Sequence, residues 1–173
     1  SIGFLISPDT PAIWRGPMVM KALEQMFNGV EWGDLDYLII DLPPGTGDAQ
    51  LTLAQSSKLS GSIIISTPQD IALIDAIKGI NMFKKVNVPV LGIVENMSYF
   101  ICSKCNEKHE IFSKGGVKKE AEKQNILFLG EIPINTNLRI NSDEGKPICE
   151  FDEGNEITKI CNVMAQTIIT NIN

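Results

Sequence analysis

Short apolar segments rich in β-branched residues alternate with amphipathic segments along almost the whole chain. Five of the apolar segments predict strands: residues 2–6, 37–41, 63–66, 90–95 and 126–129. Segments with helical spacing predict helices at residues 16–27, from about residue 67 and at 156–169. Strands that are apolar on both faces and separated by helices indicate a mostly parallel sheet with helices on both faces. No linker or repeat divides the chain, so residues 1–173 are predicted to form one α/β domain.

Two of the helices are predicted in more detail. Thr67 can cap the helix that follows residues 63–66, Pro68 suits its first position, and Asp70 favours the positive end of its dipole. The apolar residues of this helix recur at helical spacing and form one stripe: Ile71, Ile74 and Ile77. The closing helix is expected to present one apolar face: Ile157, Ile160, Cys161, Met164 and Ile168.

The composition excludes several classes of protein. With 173 residues, of which 43% are hydrophobic and 21% charged, the chain has enough apolar material for one core. Its formal net charge of −6 argues against binding to a nucleic-acid backbone, which needs a basic surface. No apolar run is long enough to span a bilayer, and residues 1–8 lack the pattern of a signal peptide. We therefore expect a cytoplasmic protein that binds neither nucleic acid nor membrane, with its cysteines reduced.

Residues 41–48, DLPPGTGD, carry the first chemical signal. Ligands of open α/β sheets bind beyond the carboxyl ends of the strands, and Asp41 ends a predicted strand. A carboxylate at this place is suited to holding a magnesium-bound water, while Gly45 and Gly47 let the backbone approach a terminal phosphate. An ordinary strand-to-helix turn, with Asp41 bonded to nearby backbone, is the alternative interpretation.

Residues 36–48, DYLIIDLPPGTGD, resemble the Walker B and switch II signature of the Mrp/ApbC family. These proteins are P-loop ATPases that carry iron–sulfur clusters, and they are related to MinD, ParA and the nitrogenase iron protein. The similarity continues in SIGFL at residues 1–5, WRGPM at 14–18, STPQD at 66–70 and GIVENMS at 92–98. It extends as far as Pro147 and implies the P-loop NTPase fold of MinD and ParA for this chain.

The resemblance implies roles for five nucleotide-binding residues. Asp41 resembles the Walker B acid, and Gly45 and Gly47 resemble the switch II glycines. Asn96 resembles the asparagine that reads an edge of adenine, and Pro133 resembles the loop that closes over the base. From composition alone, Asn96 is a turn-forming residue after a strand.

Two motifs of the family are absent from the sequence: the deviant Walker A loop and the switch I segment. Residues 113–119, SKGGVKK, imitate the Walker A loop, but no apolar strand leads into them and Lys118 stands where a glycine is needed. A P-loop supplies the backbone N–H groups and the lysine that hold the phosphates, so we expect no ATP hydrolysis by this chain alone. We interpret the chain as an N-terminally truncated part of a protein whose intact form binds ATP and Mg²⁺. Unpaired sheet edges left by the missing strand predict self-association.

Cys102 and Cys105 form a CxxC motif in a polar loop after a predicted strand. Two such thiolates can bind one metal centre, but a tetrahedral zinc ion or an iron–sulfur cluster needs four ligands. One motif per chain is therefore half a site, which a symmetric homodimer completes. This agrees with the family, in which a 4Fe–4S cluster bridges two subunits. The resemblance thus implies an iron–sulfur cluster carrier with scaffold donors and apoprotein acceptors as partners.

Other interpretations of the cysteines stay open. A zinc ion that bridges the same dimer uses identical ligands and would make the chain a non-catalytic interaction module. A redox-active pair is less suited to a loop, because such pairs prefer a helix N-terminus. A site within one chain would recruit His109 or Cys149 and Cys161, at spacings that fit no standard zinc pattern. The CxxC motif argues against the remaining alternative, a ParA-like or MinD-like partitioning ATPase.

Overall fold

The computed structural model describes residues 16–42, 45, 47–102 and 104–172. The chain divides into two compact units, Ser1–Lys58 and Leu59–Asn173. The strand predicted at residues 2–6 lies outside the described residues. One domain over residues 1–173 stays a prediction.

The described part of the first unit contains two helices: α1, Gly16–Asn28, and α2, Asp48–Ser56. Helix α1 begins where the sequence predicts, with Pro17 in its first turn, where a missing N–H group costs no helical hydrogen bond. The two helices pack against each other, and Leu53 of α2 is buried. The Nε1 of Trp32 donates a hydrogen bond to the carbonyl of Phe27 over 3.0 Å and holds the chain that leaves α1.

Residues 37–41 do not form the buried strand that the sequence predicts. The segment is irregular, and the side chain of Ile39 is 82% exposed. A strand is stable only where a neighbouring strand takes up its backbone hydrogen bonds. The strand pairings among the described residues all lie between residues 62 and 134, so none of them supports an extended conformation at 37–41.

A four-stranded sheet organises the second unit. Its strands are β1, Ser62–Ser66; β2, Val90–Ile101; β3, Lys108–His109; and β4, Phe128–Ile134. The helices that accompany it are α3, Asp70–Lys85; α4, Gly116–Gln124; α5, Thr136–Asp143; α6, Ile148–Phe151; and α7, Glu156–Ile172. The strands predicted at 63–66, 90–95 and 126–129 are all present, and β2 and β4 continue further than predicted.

Strand β2 pairs with all three other strands of the sheet. It runs parallel to β1 and to β4, while the short β3 returns antiparallel to its end. Ile93 and Val94 are consecutive, so their side chains point to opposite faces, and both are buried. Strand β2 is therefore covered on both faces, and the predicted mostly parallel sheet is confirmed.

One apolar cluster joins the sheet to α7. Its buried members are Val94, Leu129 and Met164, and its partly buried members are Ile132, Ile160 and Ile168. The apolar face predicted for the closing helix thus packs on the sheet. Helix α7 is 17 residues long, and no helix in the described part of the chain has the length and apolar character needed to cross a membrane.

Helix α3 begins later than the sequence predicts. Its N-cap is Gln69, which makes no side-chain capping bond, and the helix starts at Asp70. Thr67 does not cap it, because its hydroxyl donates a hydrogen bond to Oε1 of Gln69 instead. Pro68 is wholly buried and precedes the N-cap rather than occupying the first helical position. Asp70 lies in the first turn, as predicted.

The apolar stripe predicted for α3 is not the face that packs. Ile71 is 78% exposed and Ile74 is 53% exposed. The buried face carries Ala76, Ile80 and Phe83, which lie at helical spacing of four and three residues. A helix that is apolar on several sides has more than one candidate face, and contact with β1 and β2 decides which one is buried.

Candidate functional site

The CxxC motif lies in the turn of a β-hairpin formed by β2 and β3. The pairing of Ile101 with Lys108 closes the hairpin, and the N–H of Cys102 donates to the carbonyl of Glu107 over 3.0 Å. Within the turn, the N–H of Asn106 donates to the carbonyl of Cys102 over 2.8 Å. Residue 103 lies outside the described residues. These bonds fix the backbone that carries the motif at the tip of the hairpin.

The thiols of Cys102 and Cys105 are close together, and their surroundings favour the thiolate form of Cys102. The backbone N–H groups of Lys104 and Cys105 donate to the sulfur of Cys102, and the Cys105 thiol also bonds to it. These contacts lower the pKa of Cys102. The thiolate is the form of cysteine that binds metals, and hydrogen bonds to sulfur recur around iron–sulfur clusters. Cys105 is exposed and Cys102 is half-buried, so both are accessible to a second molecule.

Lys108 and His109 of β3 each contact a neighbouring side chain. The Nζ of Lys108 lies 3.6 Å from the centroid of the Tyr99 ring, a cation–π contact. The Nε2 of His109 lies 3.8 Å from Oε2 of Glu107. The histidine thus faces an exposed carboxylate, while Cys102 and Cys105 are the two thiols of the hairpin.

A complete metal site within one chain is not found among the described residues. No three side chains of His, Cys, Asp or Glu come together there as metal ligands. The four cysteines form two pairs, Cys102 with Cys105 and Cys149 with Cys161. The second pair therefore does not complete the site of the first in this part of the chain.

Asn96 and Pro133 lie side by side on neighbouring strands. Asn96 is the Cα partner of Ile132, the residue before Pro133, and the regular pairing of β2 with β4 is interrupted directly after it. Proline cannot donate a ladder hydrogen bond and is tolerated at such an irregularity. The Oδ1 of Asn96 accepts a hydrogen bond from the N–H of Met97 over 2.9 Å, which holds this side chain beside the interruption.

Asp41, Gly45 and Gly47 lie in the first unit and precede α2 in sequence. Asp41 is exposed. Gly45 has a φ of 96°, a conformation that residues with a side chain rarely adopt, and Gly47 is the N-cap of α2. The nucleotide site that combines these three residues with Asn96 and Pro133 of the second unit stays a prediction.

A buried carboxylate that the sequence analysis does not single out lies next to Asn96. Glu95 is 1% exposed, and its Oε2 accepts a hydrogen bond from the N–H of Val117 over 3.0 Å. Burial raises the pKa of this carboxyl against the opposing effect of that N–H, and the charge of Glu131 raises it further. Glu95 thereby caps α4, whose N-cap residue Gly115 has no side chain to do so. In the sequence, the one feature that could have pointed to Glu95 is that it is a charged residue within an otherwise apolar predicted strand.

Comparison with known proteins identifies the family. Residues 1–169 match the family model described as ParA, NUBPL iron-transfer P-loop NTPase. The iron-sulfur protein required for NADH dehydrogenase, mitochondrial, of Arabidopsis thaliana is 52% identical over 169 residues, which are 98% of this chain and 54% of that protein. The iron-sulfur cluster carrier protein of Escherichia coli is 52% identical over 168 residues, which are 97% of this chain and 46% of that protein. The chain spans about half the length of these relatives.

A solved structure agrees with this family. A nucleotide-binding protein from Archaeoglobus fulgidus, in complex with ADP and with cobalt, is 44% identical and superposes with a TM-score of 0.66. The match covers 74% of this chain and 53% of that chain. The predicted α/β P-loop NTPase fold and the predicted family are confirmed. The chain belongs to the NUBPL iron-transfer P-loop NTPases of the ParA family.

Proposed function

We propose that this chain is the cluster-holding part of an iron–sulfur cluster carrier. It accepts a 4Fe–4S cluster from a scaffold donor, holds it between two copies of the chain and delivers it to apoproteins. The observation that carries the proposal is the pair of adjacent, accessible thiols of Cys102 and Cys105 at the tip of the β2–β3 hairpin. The name of the Escherichia coli relative and the family description support the same cargo.

The hairpin supplies ligands of the required kind. Iron–sulfur clusters are held by thiolates, and the N–H groups of Lys104 and Cys105 stabilise the thiolate of Cys102. Such N–H groups also tune a cluster once iron is bound. An exposed turn suits cargo that must leave again, because the thiolates of an acceptor have to reach the iron. Free thiols at all four cysteines fit the reducing cytoplasm in which we place the protein.

Two chains are needed to complete the site. A 4Fe–4S cluster takes four thiolates, and the hairpin supplies two. Among the described residues, no third ligand joins the pair formed by Cys102 and Cys105. A two-fold axis beside the hairpin brings the same two thiols together twice. The proposal therefore includes a homodimer with the cluster on its symmetry axis.

ATP and Mg²⁺, bound by the whole protein, gate delivery in this proposal. Asp41 holds a water of Mg²⁺, Gly45 and Gly47 lie beside the terminal phosphate, and Asn96 and Pro133 contact the adenine. The positive φ of Gly45 and the placement of Asn96 next to Pro133 support these roles. The Archaeoglobus fulgidus structure, which contains ADP, gives further support.

Anaerobic reconstitution with ferrous iron and sulfide tests the proposal. Iron, acid-labile sulfide and zinc are measured per chain, together with the native mass. We expect about two irons per chain and broad visible absorption in a species of twice the chain's mass. Cys102→Ser and Cys105→Ser are each expected to abolish the cluster and the dimer. Cys149→Ser is the matched control, since it removes an exposed thiol outside the hairpin and is expected to keep both.

Several outcomes would contradict the shared cluster. Zinc at about half an atom per chain without iron uptake would make the chain a zinc-bridged interaction module. Iron bound to a monomer, or a cluster retained by Cys102→Ser, would place the cluster elsewhere. Delivery is tested by mixing the loaded dimer with an apoprotein that is active only with a 4Fe–4S cluster. We expect the acceptor to gain activity as the dimer loses its absorption, and unchanged absorption would reject the carrier function.

A further inference from the structure

A second pair of thiols lines a cavity beside α6 and α7. Cys149 belongs to α6 and Cys161 to α7, and both contribute to the wall of a cavity of about 430 Å³. Ile132, Leu138 and Ile157 supply apolar parts of the same wall. The two cysteine side chains hydrogen-bond to each other, and both are free thiols. They thus form a compact pair of sulfur atoms outside the CxxC hairpin.

The backbone around this pair is anchored. Ile148, the neighbour of Cys149, is buried, and so is Thr158, which lies one turn before Cys161. The Oγ1 of Thr158 donates a hydrogen bond to the carbonyl of Asp152 over 2.7 Å, which ties the end of α6 to the first turn of α7. A disulfide forms without backbone movement only between cysteines whose side chains already face each other. Cys149 and Cys161 line the same cavity, and their side chains interact with each other.

We propose that Cys149 and Cys161 are a modification site, where a low-molecular-weight disulfide such as oxidised glutathione introduces an intrachain disulfide between α6 and α7. The thiolate of Cys149 attacks one sulfur of the small disulfide, so that a mixed disulfide forms and one small thiol leaves. The thiol of Cys161 then loses its proton and attacks the sulfur of Cys149, which forms the protein disulfide and releases the second small thiol. Two protein thiols are oxidised and one small disulfide is reduced to two thiols.

Exposure decides which thiol reacts first. Cys149 is exposed, whereas Cys161 is half-buried. Burial, together with the neighbouring Cys149, raises the pKa of Cys161 to about 11, so little of it is the reactive thiolate. Once Cys149 carries the mixed disulfide, the second step takes place between sulfur atoms that are already in contact. It is therefore favoured over attack by a free thiol from solution.

Disulfide formation fits this pair better than metal binding. Metals bind the thiolate form of cysteine, and Cys161 is half-buried, where desolvation raises its pKa and disfavours that form. The new bond would link α6 to α7 at the wall of the cavity. The structure thus assigns the two cysteine pairs to different chemistry.

A chain that carries Cys102→Ser and Cys105→Ser isolates the second pair for the test. It is incubated with oxidised glutathione, free thiols are alkylated, and intact chains and peptides are weighed by mass spectrometry. We expect a cross-link between Cys149 and Cys161 and a loss of about 2 Da from the intact chain. Adding Cys161→Ser is expected to trap glutathione on Cys149. When Cys149→Ser is added instead, we expect the remaining Cys161 to react with oxidised glutathione at least about tenfold more slowly than Cys149 does.

Three outcomes would overturn the proposal: unreacted thiols, a disulfide between two chains, or glutathione that stays on Cys149 while Cys161 is present. Circular dichroism checks the fold of each variant. If a serine variant does not fold, the time course of the parent pair provides the test, since the mixed disulfide on Cys149 must appear first and decay into the cross-link. A mixed disulfide that appears first on Cys161 would refute the proposed order.

Discussion

Replacing Glu95 tests the buried contact between β2 and the start of α4. Its Oε2 accepts the N–H of Val117, and both residues are almost wholly buried. Glu95→Ala leaves this N–H group without a partner and without water, which costs about 1–3 kcal/mol. The lost methylene burial adds about 1 kcal/mol. We therefore expect Glu95→Ala to lower the free energy of unfolding by about 2–4 kcal/mol in acid, where the parent carboxyl is protonated, and by less at neutral pH.

Glu95→Gln separates the hydrogen bond from the charge, because the glutamine Oε1 still accepts from Val117. Burial raises the carboxyl pKa above its ordinary value of 4.5. The native state therefore favours the protonated acid, and its contribution to stability is complete below pH 4.5 and is lost as the pH rises through the native pKa. We expect Gln and the parent to be similarly stable in acid and Gln to be the more stable at neutral pH.

Urea unfolding at several pH values between 4 and 8 measures both effects. With a slope of about 1–3 kcal/mol per molar urea, the Ala variant should unfold in acid at a midpoint lower by about 0.7–4 M. Glu122→Ala is the control, since Glu122 is an exposed carboxylate in α4, the helix that Glu95 caps, and its loss should cost less than about 0.5 kcal/mol. Equal losses in the Ala and Gln variants, or a pH-independent difference between Gln and the parent, would refute this account.

Two further substitutions test local packing and capping. Gly92→Ala would place a Cβ 2.5 Å from Cγ of Leu129. We expect this crowding to lower the free energy of unfolding by about 1–3 kcal/mol, measured by urea unfolding. An unchanged urea midpoint would contradict the close approach of β2 to β4. Asn135→Ala removes the side chain that accepts the N–H of Leu138 over 2.9 Å at the start of α5 and should cost about 1 kcal/mol. Asn135→Asp retains an acceptor and should stay near the parent, so a similar loss in both variants would argue against the cap.

Apolar runs predicted strands well where a partner strand is present. The runs at 63–66, 90–95 and 126–129 became β1, β2 and β4 because each pairs in the same sheet. The run at 37–41 is also apolar, but it has no partner among the described strands and is irregular. Hydrophobicity therefore identified segments able to form strands, whereas pairing decided which of them do so.

Helical periodicity located helices in the sequence but did not always predict which face of a helix is buried. It identified α3 and α7 and gave the buried face of α7 correctly, because that helix has one dominant apolar face. Helix α3 has isoleucines on several sides, and it buries Ile80 while it exposes Ile71. Its orientation depends on the sheet that it covers, which the spacing within the helix does not contain.

The sequence by itself determined the fold class and the family resemblance, and it predicted the CxxC motif as half of a metal site. These follow from neighbouring residues, since ligand type, spacing and hydrophobic period are properties of short stretches of chain. The tertiary structure decided that Glu95 caps α4 and that Cys149 meets Cys161. These contacts join residues on different elements, and packing brings such residues together only after the sheet and its helices have set their mutual positions.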